Sequence, residues 1–247
     1  MKDTISVIIP AYNESATIEK VVRDHLQVLE GLFPMGDYEI LCLNDASTDD
    51  TLRILNQLSS GNSKVRVLSH TENRGIYESF SELAREAKGK YVYQTAADDQ
   101  WPADNLRKLY QASNAGHFDV VIGVRKNRSQ IYSLWRQILS ASFNLIPRLF
   151  FGLETKDANG IKLGKREIFN LQLISHSFFG EIERLIEARR LGYRIGYEPI
   201  QFLVRGGGKA TGAKFKNITA SFRDFFKYFF MRSRYSKSNE KYRKSLS

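Results

Sequence analysis

The stretch "ISVIIPAYNESATIEKVVRDHLQVLEGL", residues 5–32, is followed after a short break by "YEILCLNDAS", residues 38–47. "ISVIIP" is a continuous, β-branched apolar run and predicts a strand buried on both faces. Ile18, Val21, Val22, Leu26 and Leu29 then recur at helical spacing. "YEILCLN" (38–44) is a second continuous apolar strand. Strand, helix and strand in this order point to a mostly parallel sheet with helices on both faces.

The pattern continues outward. "STDDTLRILNQLSS" (47–60) predicts a helix capped by Ser47, with Asp50 three residues on. "KVRVLS" (64–69) is a third strand, and "RGIYESFSELAREAKG" (74–89) a helix ending at Gly89. "KYVYQTA" (90–96) is a fourth strand, followed by a helix from Pro102, and "FDVVIGVR" (118–125) is a fifth. Beyond it the reading is a helix over roughly 129–151, a loop and short strand in "TKDANGIKLG" (155–164), a helix around 181–191 and a strand in "YRIGYEPIQFLV" (193–204). A glycine-rich basic loop, "RGGGKATGAKFKN" (205–217), leads to a tail helix over about 215–235 with its phenylalanines on one face. The expected division is a main domain over 1–205 and a basic loop and amphipathic helix over 206–247.

Of 247 residues, 37 are Lys or Arg and 27 Asp or Glu, a net charge of +10. The first 204 residues hold 25 of each sign; the last 43 hold twelve basic and two acidic residues and carry the whole excess. A neutral body with a basic tail calls for an anionic substrate, a membrane surface or nucleic acid as partner. The single cysteine, Cys42, excludes an internal disulfide framework and reads as a small buried thiol. "MKDTISVIIP" has too short an apolar stretch for a signal peptide, and no run reaches the length of a membrane span. The expected location is the cytoplasm. The Phe and Tyr of the tail also suit stacking on single-stranded nucleic acid. That charge lies outside the sheet, however, and no nucleic-acid motif accompanies it, so no nucleic acid is expected.

Each predicted strand ends in a polar segment: "PAYNES", "LNDASTDD", "HTENRG", "AADDQWP" and "GVRKNR". Ligands of open α/β sheets collect at these carboxyl ends, so the segments together predict a site, although each singly suits a turn or helix cap.

"SVIIPAYNE", "LNDASTDDT" and "AADDQWP" resemble the family-2 glycosyltransferases with the GT-A fold, and the resemblance runs through nearly the whole chain. "GVRKNRS", "WRQILSASFNLIPRLFFGLETKDANGIKLGKREIF" and "VRGGGKATGAKFKNI" resemble one group within them, the polyprenyl-phosphate glycosyltransferases that include dolichyl-phosphate mannose synthase. The resemblance implies a metal-dependent, inverting transfer of a sugar from a UDP- or GDP-sugar to a polyprenyl phosphate. The enzyme would lie peripherally at the inner face of the cell membrane through its C-terminal helix. It also implies Mg²⁺ or Mn²⁺, since a divalent ion reconciles carboxylates with a diphosphate.

Residue by residue, Asp98 matches the second acid of the family's metal motif, while Ala96 stands at the first. Asp99 and Gln100 add a ligand or a ribose contact. Asp45 resembles the residue that recognises the nucleotide base, and an Asx-turn or helix cap is its other reading. Pro10, Ala11, Tyr12 and Glu14 would shape the base and ribose pocket. Gly75 lets the backbone approach the nucleotide or simply opens a helix. In the same "LNDASTDDT" segment, Asn44 and Ala46 replace two members of the usual motif.

Arg125, Arg136, Arg205 and Lys209 or Lys214 sit where the group keeps phosphate contacts, a task that suits the planar arginine fork. The catalytic set so implied is Asp98, Asp99, Arg136 and Arg205. Glu181 and Glu183 in "GEIERL" would serve as base if the acceptor were a saccharide hydroxyl, or only favour a helix N-terminus. Asp157 positions the sugar or the turn that follows it. A non-catalytic nucleotide-sugar-binding protein is the remaining alternative.

Overall fold

The computed structural model describes residues 3–126, 145, 147–203 and 215–246. The predicted site residues Arg136, Arg205, Lys209 and Lys214 lie outside them, as do most of the predicted 129–151 helix and the glycine-rich loop.

The chain alternates as β1 (Ile5–Ala11), α1 (Ile18–Leu32), β2 (Tyr38–Asn44), α2 (Thr51–Gly61), β3 (Val65–Ser69), α3 (Ile76–Glu86), β4 (Tyr91–Gln94), α4 (Asp104–Gly116) and β5 (Val120–Arg125). After these come β6 (Lys162–Lys165), the short α5 (Arg166–Phe169), α6 (Phe179–Arg190), β7 (Ile195–Ile200) and the long α7 (Phe215–Lys244). The described strands form one sheet in the order β3-β2-β1-β4-β6-β5-β7. Only β6 runs against its neighbours β4 and β5; the other pairings are parallel.

Continuous apolar strands are needed because both faces of the sheet are covered. Val7, Ile9, Ile40 and Cys42 pack with Ile18, Val22 and Leu29 of α1, Leu55 of α2 and Leu106 of α4. The alternate residues Ile8, Leu41 and Leu43 face the other way, onto Leu83 and Ala84 of α3. A third cluster joins Val120 and Ile122 of β5 to α6 and to Phe225 and Tyr228 of α7. The Cys42 thiol is buried, which pushes its pKa up to about 12.

Two local expectations are corrected. Ser47 does not cap α2; its Oγ accepts from the Asn13 amide. Asp49 instead takes the Thr51 amide at 3.0 Å, two residues later. The α3 helix ends at Glu86, three residues before Gly89. Lys88 N–H donates to Glu39 Oε1 at 2.7 Å and Gly89 N–H to Ser6 Oγ at 2.8 Å, so a buried Ser6–Glu39 pair draws the chain into β4.

The tail helix continues to Lys244, and its phenylalanines divide. Phe225 is buried, whereas Phe222, Phe226 and Phe230 are 49, 55 and 77% exposed. The division is set by Glu187 of α6, which accepts from Tyr228 Oη, Ser236 Oγ and Asn239 Nδ2 and so orients α7.

Candidate active site at the carboxyl ends of the strands

Pro10 and Ala11 are the buried last residues of β1. The loops after β1 and β2 are laced together. Asn13 N–H donates to Ser47 Oγ at 3.0 Å, Thr48 N–H to Asn13 Oδ1 at 2.8 Å, and Glu14 N–H to Thr51 Oγ1 at 2.9 Å. Tyr12 stands 48% exposed between them, as a ring on the rim. Thr17 Oγ1 donates to Ala97 O at 2.7 Å, linking the start of α1 to the loop after β4. Asn44 bridges to Ser69 at the end of β3 and accepts from the Ser47 amide. Ala46 has φ 57°, a left-handed conformation that glycine adopts without steric cost.

Asp45 is 3% exposed. Its Oδ1 accepts from the Arg74 amide at 2.9 Å and its Oδ2 from the Gly75 amide at 2.8 Å, with His70 Nδ1 2.7 Å from Oδ1. The carboxylate thus shapes the turn ahead of α3. Gly75, at φ 86°, is the residue that lets the chain enter the helix, and the space beside its Cα is open.

The two adjacent acids after β4 part company. Asp98, half-buried, accepts the Gln100 amide on Oδ1 at 3.2 Å. Asp99, at φ 55°, turns to α1 and pairs with Lys20 Nζ at 2.9 Å. Their side chains therefore meet different partners. Gln100 anchors the loop to the irregular segment after β7: its Nε2 donates to Leu203 O at 3.1 Å and its carbonyl accepts the Leu203 amide at 2.8 Å.

Arg125 is held by Asp157, with Nε 2.7 Å from Oδ2 and Nη2 2.5 Å from Oδ1. Trp101 and Phe202 face the same guanidinium at 5.6 and 5.3 Å from their ring centres. The expectation of a phosphate clamp meets an arginine already engaged in a buried fork, which ties the ends of β5 and the 153–161 loop to the Asp98 loop.

Glu181 and Glu183 are both buried. Glu181 lies 2.8 Å from Lys162 Nζ, beneath the end of β4. Burial opposes its ionisation, but Lys162 and Arg184 outweigh that and hold the carboxyl below its usual range. Glu183 accepts from the Ile174 and Ser175 amides and the Ser175 hydroxyl, and burial pushes its pKa up to about 7. Neither stands at the surface where an incoming hydroxyl would give up its proton. Sequence reading missed Lys20, His70, Glu82 and Lys162. Their signal is spatial, since each partners a site segment 12 to 79 residues away.

Among the described residues no group of three or more His, Cys, Asp or Glu could hold a metal by itself. The Asp98 carboxylate and the amide oxygen of Gln100, on a loop pinned at both ends, are the donors this edge would offer a divalent ion. Mg²⁺ suits that set, because it is commonly bound by one or two carboxylates and completed by substrate phosphates and water.

A mostly parallel sheet with polar, mutually braced loops at its carboxyl edge, and an acidic loop at its centre, is the arrangement in which open α/β domains receive ligands. The model of glycosyl transferase family 2 matches residues 6–173, and the chain belongs to that family. It is 26% identical over 211 residues to glycosyltransferase AglD of Haloferax volcanii, covering 83% of this chain and 34% of that protein. It is 28% identical over 176 residues to dolichol-phosphate mannosyltransferase of Pyrococcus furiosus, covering 64% of this chain and 48% of the relative. The chain thus spans between a third and a half of these curated relatives. Among solved structures it resembles glucosyl-3-phosphoglycerate synthase of Mycobacterium tuberculosis in complex with Mn²⁺, UDP and phosphoglyceric acid. The TM-score is 0.66 at 24% identity, over 93% of this chain and 78% of the other. At that identity the likeness bears on the fold.

Proposed function

We propose that this chain is a metal-dependent, inverting glycosyltransferase that moves a sugar from a nucleotide diphosphate to a polyprenyl phosphate at the cytoplasmic membrane face. The carrying observation is the placement of Asp98 and Gln100 at the central carboxyl edge of a family-2 domain, on a loop braced from the start of α1 and from the segment after β7.

Asp98 and Gln100 would hold Mg²⁺ or Mn²⁺, which supplies charge stabilisation for the diphosphate leaving group. Asp99, balanced by Lys20, adds a ribose contact or a distant negative charge. Pro10, Ala11, Tyr12, Glu14, Asp45 and Gly75 line the nucleotide end. A lipid phosphate is already ionised at neutral pH and needs no strong general base, which accords with the burial of Glu181 and Glu183. Arg136, Arg205, Lys209 and Lys214 would set the acceptor phosphate in line with the sugar, and Arg125 with Asp157 would hold the frame they act in. The similarity to a dolichol-phosphate mannosyltransferase supports this acceptor class.

Membrane contact has its own support. Phe222, Phe226 and Phe230 form an exposed stripe on α7, with the half-exposed Phe150 packed edge-on against Phe225 and Phe229 of the same helix and Arg223, Lys227 and Arg232 exposed along it. No helix among the described residues is long and apolar enough to cross a membrane. Aromatic and basic side chains together suit a helix lying in the lipid interface.

The test is transfer from a panel of UDP- and GDP-sugars to undecaprenyl or dolichyl phosphate, with and without Mn²⁺, alongside saccharide acceptors. Metal-dependent turnover of the lipid phosphate is expected. Turnover of saccharides alone would overturn the reading.

A further inference from the structure

His70, the residue after β3, is 7% exposed and bridges two carboxylates from different elements. Nδ1 lies 2.7 Å from Asp45 Oδ1, and Nε2 lies 3.0 Å from Glu82 Oε2 on α3. An ionised carboxylate can only accept, so a ring bonded to two of them donates from both nitrogens and is an imidazolium. Burial opposes that charge, but the hydrogen bonds to Asp45 and Glu82 outweigh it and raise the His70 pKa above its ordinary value. Among the described residues the further charge facing the cluster is Arg74, whose Nη1 is 3.9 Å from the same Glu82 oxygen.

Asp45 in turn carries the turn before α3. It accepts the Arg74 and Gly75 amides on its carboxylate, and its own carbonyl accepts from Asn73 Nδ2 at 3.2 Å. Four groups are therefore in series: Glu82, His70, Asp45 and then the Asn73–Gly75 turn. Glu82 is the most exposed of the three side chains and has room to move, whereas Asp45 and His70 do not.

We propose that His70 is a positioning residue for the donor pocket: donating from both ring nitrogens, it locks Asp45 and the Asn73–Gly75 turn in the shape that receives the nucleotide. This rests on the assignment of this edge as the donor site. Above the His70 pKa the neutral ring keeps one donor. Its second nitrogen then turns a lone pair on a carboxylate, the brace from Glu82 is lost, and the turn loosens.

The experiment has two arms on the full chain. In the first, ¹⁵N NMR of histidine and backbone amides is followed from pH 6 to 8.5 without ligand. His70 is expected to carry protons on both ring nitrogens at pH 6.5, and the Gly75 amide signal should move with the same midpoint as the ring. A neutral His70 at pH 6.5, or a Gly75 amide indifferent to it, overturns the proposal.

In the second arm, calorimetry measures UDP-glucose and GDP-mannose binding with Mn²⁺ over the same range. Affinity should fall by about tenfold through the His70 midpoint, the scale of one charge-assisted hydrogen bond. His70→Asn keeps one donor without titrating, so its affinity should be flat with pH and weaker than wild type at pH 6.5. An unchanged pH profile in that variant overturns the proposal. Absence of nucleotide binding at any pH overturns the donor-site assignment itself, and the first arm still decides whether His70 locks the turn.

Discussion

Asp99 Oδ1 lies 2.9 Å from Lys20 Nζ, so the second of two neighbouring acids is already balanced by a cation on α1. Asp98, one residue earlier, accepts the Gln100 amide within its own loop. The two should therefore differ in function. Asp98→Asn is expected to lower transfer by about 10³-fold, the scale of losing a main electrostatic stabiliser. Asp99→Asn should stay within about tenfold, as for an exposed ion pair. A thermal shift on adding Mn²⁺ and nucleotide sugar should vanish in the Asp98 variant only; equal losses in both would restore a two-acid metal site.

The Arg125–Asp157 fork is nearly buried, with side-chain exposures of 11 and 2%. Asp157→Ala removes the counter-charge of a buried guanidinium, a change that costs about 3–5 kcal/mol. Urea unfolding should show that loss. Arg125→Lys keeps the charge but not the two-pronged geometry, and should recover part of the difference.

Ala46 holds a left-handed backbone at φ 57°. Ala46→Gly relieves that strain and should stabilise the chain by about 1 kcal/mol, after the greater flexibility of glycine in the unfolded chain is offset. In a chain of this size that corresponds to a rise in Tm of about 2–4 °C. A fall in Tm would show that the turn is not strained.

Glu183 sets a pH dependence of stability. Its folded pKa is raised to about 7 by burial, so the folded chain holds this proton when the unfolded chain has released it. The contribution is full below the ordinary carboxylate range and is lost as pH rises to about 7. Glu183→Gln cannot titrate. The gap in urea stability between wild type and variant should therefore be widest at pH 5 and narrow toward pH 8. A gap that widens with pH would mean that the three hydrogen bonds to the carboxylate, not its burial, dominate.

The exposed stripe of α7 predicts lipid binding that the buried side does not share. Replacing Phe222, Phe226 and Phe230 by Ser should reduce co-sedimentation with anionic vesicles by at least about tenfold, with thermal stability unchanged because these rings are exposed. High salt should weaken the wild-type binding further, since the flanking Arg and Lys act through screened charge.

Much of the fold was legible because burial on both faces demands unbroken apolar runs. Residues 5–11, 38–44 and 120–125 can be little else, and the polar segment after each had to fall at one edge once the strands were parallel. The family resemblance rests on those same segments. What the sequence leaves open is direction. Asp98 and Asp99 are neighbours in the chain, yet a left-handed φ at Asp99 sends their side chains to different partners.

Helical spacing likewise places Phe222, Phe225, Phe226 and Phe230 around a cylinder but does not say which arc is inside. That was settled by polar groups of α7 meeting the buried Glu187, where an unpaired carboxylate would be costly. His70 carried no local signal, because its meaning comes from Asp45 and Glu82, 25 and 12 residues away. The sequence by itself determined the parallel sheet and the edge where a ligand would sit, since hydrophobic period is a local property of the chain. Only the tertiary structure decided which charges meet there, because hydrogen-bond partners are chosen by proximity in space.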